Sequence, residues 1–379
     1  MSDPKPRKTA GMASRLLGLC AGGLALATLA GCLGRFFALA DLFSHFVLYY
    51  TVASAGVLAL ALVLRCWRVA GVALLVFVFN GWGLLPIYLS GHNAARPSGP
   101  VLRLAQVNLL HKNRDHVRAL DFIRRTDVDV MFLQEIDPWW ERVVRGSDVP
   151  YRFVVARPAE GSFGIAMLVH NSLEDGAITI EGTRVIEFAN GTVGAERPGI
   201  EATLMFAGQR VKVLSIHPPP PTTSAFSYMR DAILLKAKAW ADAQTDPHVI
   251  IGDLNTTPWS HAFTALTDDG KLISTQGGFG NQGTWPTHLP APWLLPIDHC
   301  VYSPQWVCVD REIGPETGSD HLPLLVSLAL APPVQVLPDI APDAPPDIAR
   351  NPPADTPGPG LDSVLRPNKE PAGQPATIR

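Results

Sequence analysis

Three long apolar runs dominate the first quarter of the chain. They cover residues 16–40, 46–64 and 69–89. Each is close to the roughly 20 residues that an α-helix needs to cross the hydrocarbon core of a bilayer. The pattern therefore predicts three transmembrane helices within residues 16–89, after a short polar N-terminal segment at residues 1–15.

Positive charges set the expected orientation of these helices. Basic residues flank the runs at two places, with Lys5, Arg7, Lys8 and Arg15 before the first run and Arg65 and Arg68 between the second and the third. Basic flanks stay on the cytoplasmic side of a membrane. Three spans then place everything after about Ser90 outside the cytoplasm. The sequence predicts a multi-pass protein of the inner (cell) membrane with a periplasmic or outward-facing domain.

The first run has a second interpretation. Leu29-Ala30-Gly31-Cys32 follows a basic start and an apolar stretch, as in a bacterial lipoprotein signal that is cleaved and lipidated at its cysteine. The apolar sequence continues through Leu33 and Phe36, which favours an uncleaved helix with a small-residue face. Both interpretations place the following domain outside the cytoplasm.

After residue 100 the pattern changes to short strand-like runs. Nine runs predict strands: Arg103–Leu109, Val128–Gln134, Gly164–His170, Ile178–Ile186, Ile200–Phe206, Val211–His217, Val249–Gly252, Ile297–Tyr302 and Leu322–Leu330. Two further stretches, Asp115–Arg125 and Phe226–Ala243, predict helices. Runs such as VMFLQ and VIIGD are almost entirely apolar, as expected for strands covered on both faces. Residues 101–330 are therefore predicted to form one domain of two packed sheets with helices outside.

Two segments without a core pattern flank this domain. Residues 90–100 are rich in turn formers and predict a linker. Residues 331–379 are rich in Pro, Asp and Ala and almost free of aromatic residues, so they bury too little apolar surface to offset the entropy of ordering. They are predicted to form a disordered or polyproline-like tail.

Net charge and cysteine content argue against a nonspecific nucleic-acid-binding domain and against a disulfide-rich domain. Residues 101–330 contain 19 Lys and Arg against 26 Asp and Glu, which leaves a net charge of −7. This is the wrong sign for tight nonspecific nucleic-acid binding, which depends on neutralising phosphates. Cys300 and Cys308 are too few for a disulfide framework. They are predicted to be buried free thiols, with a bridge across a hairpin near Ser303-Pro304 as the alternative.

Polar residues stand where the predicted strands end. Asn108 ends one strand and Glu135 follows another, and strand ends project side chains into a shared crevice. One carboxylate and one amide can hold Mg²⁺, with water and substrate oxygens completing an octahedron. In IIGDLNTTP, an apolar strand leads through a glycine to Asp253 and Asn255 on one face of an extended segment. Asp253 is predicted to orient or deprotonate an attacking water, and Asn255 to bind a phosphate oxygen.

Histidines provide candidate groups for proton transfer. His217 ends a strand and is followed by four prolines, so a fixed imidazole is predicted to protonate a leaving oxygen or to stabilise the phosphorus centre. In PIDHCVY and GSDHLPL, Asp298 is predicted to accept a hydrogen bond from His321 and fix its tautomer, with Asp320 close by. Whether His321 or Asp253 removes the proton from water stays open.

In this order, the motifs QVN, LQE, IHP, GDLN, IDH and SDH resemble those of the endonuclease/exonuclease/phosphatase superfamily, which includes deoxyribonuclease-I-like nucleases. The resemblance covers residues 101–330. It implies an α/β fold, a four-layer αββα sandwich of two mixed β-sheets flanked by helices, here preceded by three transmembrane helices. It also implies hydrolysis of a phosphoester with Mg²⁺, or Mn²⁺ in its place.

The resemblance also implies roles for individual residues. Glu135 would be the principal metal ligand, assisted by Asn108 and Asp320. His217 and His321 would be the two catalytic histidines. Arg197, just before a strand, resembles the basic residue that binds the scissile phosphate in the family. A solvated arginine at the start of the strand is the alternative.

The leading hypothesis is a membrane-anchored, extracytoplasmic, Mg²⁺-dependent phosphodiesterase without an obligate protein partner. Its substrate is a phosphoester, either nucleic acid or a phospholipid head group, and the acidic domain close to lipid favours a lipid or small diester. Four tryptophans are expected to rest at the membrane interface or to pack in the core, namely Trp139, Trp140, Trp259 and Trp293. The alternatives are a phospholipid or sphingomyelin phosphodiesterase of the same fold and a catalytically silent scaffold.

Overall fold

The N-terminal part of the molecule consists of four helices. A computed structural model describes residues 8–89, 99–175, 178–188 and 197–331, so most of the predicted linker and all of the tail after residue 331 lie outside the described residues. The helices are α1 (Lys8–Cys32), α2 (Ala38–Ser44), α3 (Val47–Val63) and α4 (Trp67–Leu89). Helices α1 and α4 are long and apolar enough to cross a membrane, and α2 with α3 forms a third candidate span that is bent by 61°.

The first apolar run ends earlier in the structure than expected. Helix α1 stops at Cys32, and residues 38–40 belong to α2, which folds back against the end of α1. Glycine permits this approach, because a Cβ on Gly34 would lie 2.8 Å from the Cα of Asp41. The second predicted run, residues 46–64, forms the unbroken helix α3, and the bend lies before it, between α2 and α3.

Two six-stranded sheets form the domain that follows. The strands are β1 (Val101–Asn108), β2 (Val130–Gln134), β3 (Tyr151–Arg157), β4 (Ile165–His170), β5 (Ile178–Glu187), β6 (Pro198–Phe206), β7 (Gln209–Ser215), β8 (His248–Asp253), β9 (Ile273–Ser274), β10 (Asp298–Tyr302), β11 (Trp306–Ile313) and β12 (Leu324–Leu330). Sheet 1 has the order β11-β12-β1-β2-β4-β3, and sheet 2 has the order β5-β6-β7-β8-β10-β9. One pair in each sheet is parallel, β1 with β2 and β7 with β8, so both sheets are mixed.

Three layers of apolar side chains hold the sheets and helices together. Alternate strand residues of both sheets, such as Leu104 and Val213, pack in a core between the sheets. The intervening residues of sheet 1, such as Ala105, pack against α5 (His116–Arg125) and α6 (Pro138–Arg145). Sheet 2 packs in the same way against α7 (Ser224–Asp242) and α8 (His261–Thr267). The predicted four-layer αββα sandwich is confirmed.

The two cysteines of the domain are free thiols, as predicted. The hairpin that was considered for them does not form, because β10 belongs to sheet 2 and β11 to sheet 1. The turn between Tyr302 and Trp306 thus carries the chain from one sheet to the other. Burial raises the pKa of the Cys308 thiol to about 12, so it is protonated at neutral pH.

The N-terminal helices contact the domain through specific polar groups. The carboxylate of Asp41 in α2 accepts a hydrogen bond from Arg230 in α7 at 2.7 Å. Thr257 Oγ1 lies 3.0 Å from Nδ1 of His45, which follows α2. The indole N–H of Trp259 donates to the carbonyl of Gly83 in α4 at 3.1 Å. The loop after β8 therefore rests on the helices.

A second loop of the domain makes similar contacts. The backbone N–H of Gly280 donates to the carbonyl of Ile87 at 2.6 Å. The ring of Trp293 packs against that of Tyr49, with 5.1 Å between the centroids. Trp140, in contrast, is fully buried in the core beside sheet 1. Of the four tryptophans considered above, Trp259 and Trp293 thus contact the helices, while Trp140 packs in the core.

Candidate active site

The predicted site residues lie at neighbouring strand ends. Asn108 ends β1 beside Gln134, the last residue of its parallel neighbour β2. In sheet 2, Asp253 ends β8 directly opposite Asp298, the first residue of β10. Residues of both sheets thus project from the same edge of the sandwich.

Gln134 joins the two sheets at this edge. Its side-chain carbonyl accepts the backbone N–H of Asp253 at 2.9 Å, and its amide donates to the carbonyl of Ile216 at 2.8 Å. The backbones approach closely here, since a Cβ on Gly252 would lie 2.0 Å from the oxygen of Ile216. The glycine of the GDLN motif is therefore needed for packing beneath the site.

An amide links two buried carboxylates in the centre of the site. Nδ2 of Asn108 lies 3.2 Å from Oε1 of Glu135 and 3.2 Å from Oδ2 of Asp253. Its own Oδ1 accepts the N–H of Leu110 at 2.9 Å. Three residues that are far apart in the sequence thus converge as predicted.

His111 is a further residue of this cluster that the sequence did not reveal. Its Nδ1 lies 2.8 Å from Oε2 of Glu135, and its backbone N–H donates to the same oxygen at 3.2 Å. Ser162 Oγ lies 3.2 Å from the same imidazole nitrogen. Glu135 itself has a left-handed backbone, with φ of +57°. The carboxylate is therefore held by contacts on both oxygens.

Both predicted histidines face Asp253. Its Oδ2 lies 3.4 Å from Nε2 of His217 and 3.5 Å from Nε2 of His321. On its other side, the imidazole of His321 contacts Oδ2 of Asp298 through Nδ1 at 2.9 Å, as predicted. All four side chains are buried.

The electrostatics of the site are dominated by these carboxylates. Burial alone would lower the pKa of His321, but the charges of Asp298 and Asp253 raise it to about 10. The pKa of His217 is also raised, because Asp253 and Glu135 outweigh its burial. Conversely, burial would raise the pKa of Glu135, but the charge of His217 and the hydrogen bonds from His111 hold it below its ordinary value. The buried carboxylates thus attract positive charge.

The predicted substrate-binding residues flank this centre. The Asn255 amide donates to the carbonyl of Pro218 at 2.9 Å, and its backbone is left-handed with φ of +50°. The guanidinium of Arg197 is buried and stacks on Phe163, 3.4 Å from the ring centroid. Phe163 in turn lies 6.1 Å from the ring of His217. Arg197 is therefore a buried residue beside the site, and the solvated alternative is wrong.

Asp320 lies next to His321 in the sequence and contacts a tryptophan of another loop. Its Oδ2 accepts a hydrogen bond from the indole of Trp285 at 3.1 Å. Its charge contributes to the raised pKa of the neighbouring His321. Asp320 thus borders the acidic cluster, and Trp285 is a second contact that the sequence did not reveal.

Comparison with known proteins agrees with this geometry. Residues 105–321, more than half of the chain, match the Endonuclease/Exonuclease/phosphatase family. The chain belongs to this family. No curated protein sequence matches it.

Two solved structures with TM-scores of 0.50 share the fold of this chain at low sequence identity. A humanized D. rerio TDP2 with 14 mutations is 19% identical, with a TM-score of 0.50 over 60% of this chain and 99% of that chain. D. rerio TDP2 complexed with a single-strand DNA product is 17% identical, with a TM-score of 0.50 over 61% and 100%. The Bacteroides thetaiotaomicron VPI-5482 mannosyl-6-phosphatase Bt3783 is 17% identical, with a TM-score of 0.46 over 60% and 100%.

The donor atoms of the family site fit a hard divalent cation. Donor atoms of Asp253, Asp298 and His321 all lie within 4.8 Å of one another. Asn108 connects Asp253 to Glu135 through its amide nitrogen, and the two carboxylates supply the oxygen ligands that Mg²⁺ prefers. One carboxylate oxygen of Asp298 is buried without a hydrogen-bond partner among the described residues. The protein thus combines a phosphoester hydrolase fold with a possible metal site.

Proposed function

We propose that this protein is a membrane-anchored, extracytoplasmic, metal-dependent phosphoester hydrolase. The convergence of Glu135, Asn108 and Asp253 with the imidazoles of His217 and His321 supports this proposal most directly. Buried carboxylates are costly unless they meet compensating charge. Two imidazoles with raised pKa values and a divalent cation are both suited to supply that charge.

We propose that Mg²⁺ binds Glu135, with Asn108 and Asp320 assisting, and that Mn²⁺ can replace it. When bound, the cation polarises a phosphoryl oxygen and offsets the charge that develops on it. His111 contacts Glu135 through both its ring and its backbone, so it keeps the carboxylate in place. The Trp285 indole similarly orients Asp320.

The remaining residues act on the substrate and on water. Asp253, which lies between the two histidines, orients the attacking water. His321, held by Asp298, and His217 stabilise the phosphoryl oxygens or protonate the leaving group, because raised pKa values favour their charged forms. Asn255 and Arg197 bind the nonbridging oxygens of the phosphate. With His321 in its charged form, Asp253 is the group that accepts the proton of the attacking water.

The position of the basic residues supports an extracytoplasmic domain. Arg65 and Arg68 lie between the second and third candidate spans, and basic loops favour the cytoplasm. If the bent helix pair is one span, three crossings put the domain on the opposite side. The substrate is then a phosphoester on that side, and the domain charge of −7 favours a lipid or small diester over nucleic acid.

A substrate panel tests the proposal. The full-length protein in lipid nanodiscs is assayed on bis(4-nitrophenyl) phosphate, plasmid DNA, sphingomyelin and phosphatidylinositol phosphates, with EDTA, Mg²⁺ or Mn²⁺. We expect hydrolysis of the aryl diester that EDTA abolishes and Mg²⁺ restores. Glu135→Gln and His321→Ala should lose it, while Glu316→Gln, which alters an exposed carboxylate, should retain it. Activity that persists in EDTA and in both site variants contradicts the proposal.

A further inference from the structure

A large cavity lies between the N-terminal helices and the catalytic domain. Its volume is about 940 Å³, within the range of roughly 300–1,000 Å³ that ligand pockets occupy. All four helices and the loop after β8 contribute to its wall, which includes Ala25, Val47, Val76, Phe79, Pro258 and Trp259. Candidate membrane spans and the loop after β8 thus line one cavity that is open on one side.

The chemistry of the wall favours an apolar occupant. Most lining side chains are aliphatic or aromatic. Two of its polar residues are joined to each other, since the amide of Asn80 donates to Thr28 Oγ1 and to the carbonyl of Val76, both at 2.9 Å. A buried water needs two to four polar partners, and an apolar cavity offers few. Between spans that lie in a bilayer, the available apolar material is the hydrocarbon chain of a lipid.

The cavity is connected to the catalytic centre through one short loop. This loop leaves β8 at Asp253, carries Asn255, and reaches the cavity wall at Pro258 and Trp259. Hydrogen bonds to the helices fix it there, from Thr257 to His45 and from Trp259 to Gly83. The helices therefore contact the edge of sheet 2 at which Asp253 lies. A phosphoester at this edge and an apolar chain in the cavity would lie on two sides of the same loop.

We infer that the cavity holds an apolar chain of a membrane lipid whose phosphoester is the substrate of the catalytic site. This inference rests on the proposed function and adds the substrate class to it. The cavity binds the apolar chain of the lipid, and the phosphate is hydrolysed at the carboxylate cluster. Long-chain phosphoesters are then better substrates than short-chain ones with the same reacting group.

Two chromogenic diesters test the role of the alkyl chain of the substrate. Hexadecyl 4-nitrophenyl phosphate and ethyl 4-nitrophenyl phosphate carry the same leaving group and differ only in chain length. Both are assayed with the full-length protein in nanodiscs and Mg²⁺, and the ratio of kcat/KM for the long to the short substrate is compared among variants. Ala25→Phe fills the cavity, while Ala53→Phe adds the same bulk to an exposed position on α3.

We expect Ala25→Phe to lower the ratio about tenfold, as for a misfit in an apolar pocket, and Ala53→Phe to leave it at the wild-type value. The inference is wrong if both variants, or neither, change the ratio. If the wild type hydrolyses neither diester with Mg²⁺ or Mn²⁺, the proposed function fails on its own. Whether the cavity holds an alkyl chain is then decided by a binding measurement alone.

Photochemical labelling supplies that binding measurement. A hexadecyl phosphate with a diazirine in mid-chain is irradiated with the wild-type protein in nanodiscs, and the labelled residues are mapped by mass spectrometry. Labelling concentrated at Val76, Pro258 and Trp259 supports a chain site, and it should decrease in Ala25→Phe but not in Ala53→Phe. Labelling spread evenly over outward residues such as Leu26 and Val63, which do not line the cavity, overturns it.

Discussion

Asp298 shows how one buried carboxylate controls its neighbour. It is fully buried at the start of β10, and its Oδ2 lies 2.9 Å from Nδ1 of His321. This contact orients the imidazole so that Nε2 faces Asp253. Burial opposes charge on His321, and the charge of Asp298 is the largest contribution in the other direction.

Asp298→Asn should therefore impair the orientation and charge of His321 together. We expect kcat on the aryl diester to fall on the order of 10²- to 10⁴-fold, the usual contribution of a positioned proton-transfer group. The pH profile of kcat/KM should shift to lower pH, because loss of the negative charge lowers the pKa of His321. Asp127→Asn, an exposed carboxylate, is the matched control. An unchanged pH profile argues against a positioning role.

His299, which follows Asp298 in β10, is fully buried and its imidazole is neutral. Burial and the charge of Arg311 lower its pKa from 6.5 to about 4. As pH falls below 6.5, His299 becomes protonated in the unfolded chain before it does in the folded protein. Folding stability is therefore unaffected above pH 6.5 and is lost progressively as pH falls towards 4.

This pKa difference predicts the effect of His299→Gln. Between pH 7 and pH 5 the wild type should lose about 2 kcal/mol through this histidine, and the variant should not. We expect a smaller drop of Tm over this interval in His299→Gln than in the wild type. His288→Gln, at an exposed histidine, should behave as the wild type does. Equal drops in the wild type and His299→Gln are inconsistent with a neutral buried imidazole.

At the scale of elements, one ion pair joins the N-terminal helices to a helix of the domain. Arg230 in α7 is fully buried and contacts Asp41 in α2 at 2.7 Å. It also contacts Asp231 and the carbonyl of Asn255, at 2.7 Å and 3.4 Å. The pair thus holds the loop of Asn255 in place from the side of the N-terminal helices.

Breaking this pair leaves a buried charge with less compensation. Arg230→Met should destabilise the protein on the order of 3 kcal/mol. Adding Asp41→Leu should recover part of this loss, because the second charge is then removed as well. Arg184→Met, in an exposed pair with Glu201, is the control and should change Tm little. Equal Tm values for Arg230→Met and Arg184→Met contradict a structural role for the buried pair.

Sequence patterns predicted long or purely apolar elements better than short or mixed ones. The runs that became β2 and β8 are buried throughout, so their composition was sufficient. Strand β3 mixes exposed and buried positions, and α6 is only eight residues long. A start signal was present for α6, since Asp137 caps its first turn and Pro138 follows.

In the candidate active site, the residues that could be predicted from the sequence are those that lie within short local motifs. Asp253 and Asn255 share one motif, and Asp298 and His321 each lie within a short polar motif. His111 and Trp285 act through residues 24 and 35 positions away, and no local pattern marks such contacts. The bend between α2 and α3 was also hidden, because its residues contact parts of the domain that are far away in the sequence.

At the scale of the whole molecule, the orientation in the membrane can be measured directly. An alkaline phosphatase reporter, which is active only outside the cytoplasm, is fused after Ala331 in one protein and after Cys66 in another. Basic residues on either side of Cys66 favour a cytoplasmic loop, and three crossings put Ala331 outside. We expect high reporter activity for the Ala331 fusion and low activity for the Cys66 fusion. The reverse result refutes the proposed topology.

The bend of 61° between α2 and α3 has a consequence for how the chain is made. Irregular backbone at membrane depth persists only where protein covers it, and here His45 is buried against Thr257 of the domain. The ribosome finishes this segment long before Thr257 exists. If the helices cross a membrane as proposed, a newly made chain lacks the support for this bend, and we expect the bend to reach its final shape only once the domain has folded. On that topology, membrane insertion and folding of the domain are consecutive steps of one process.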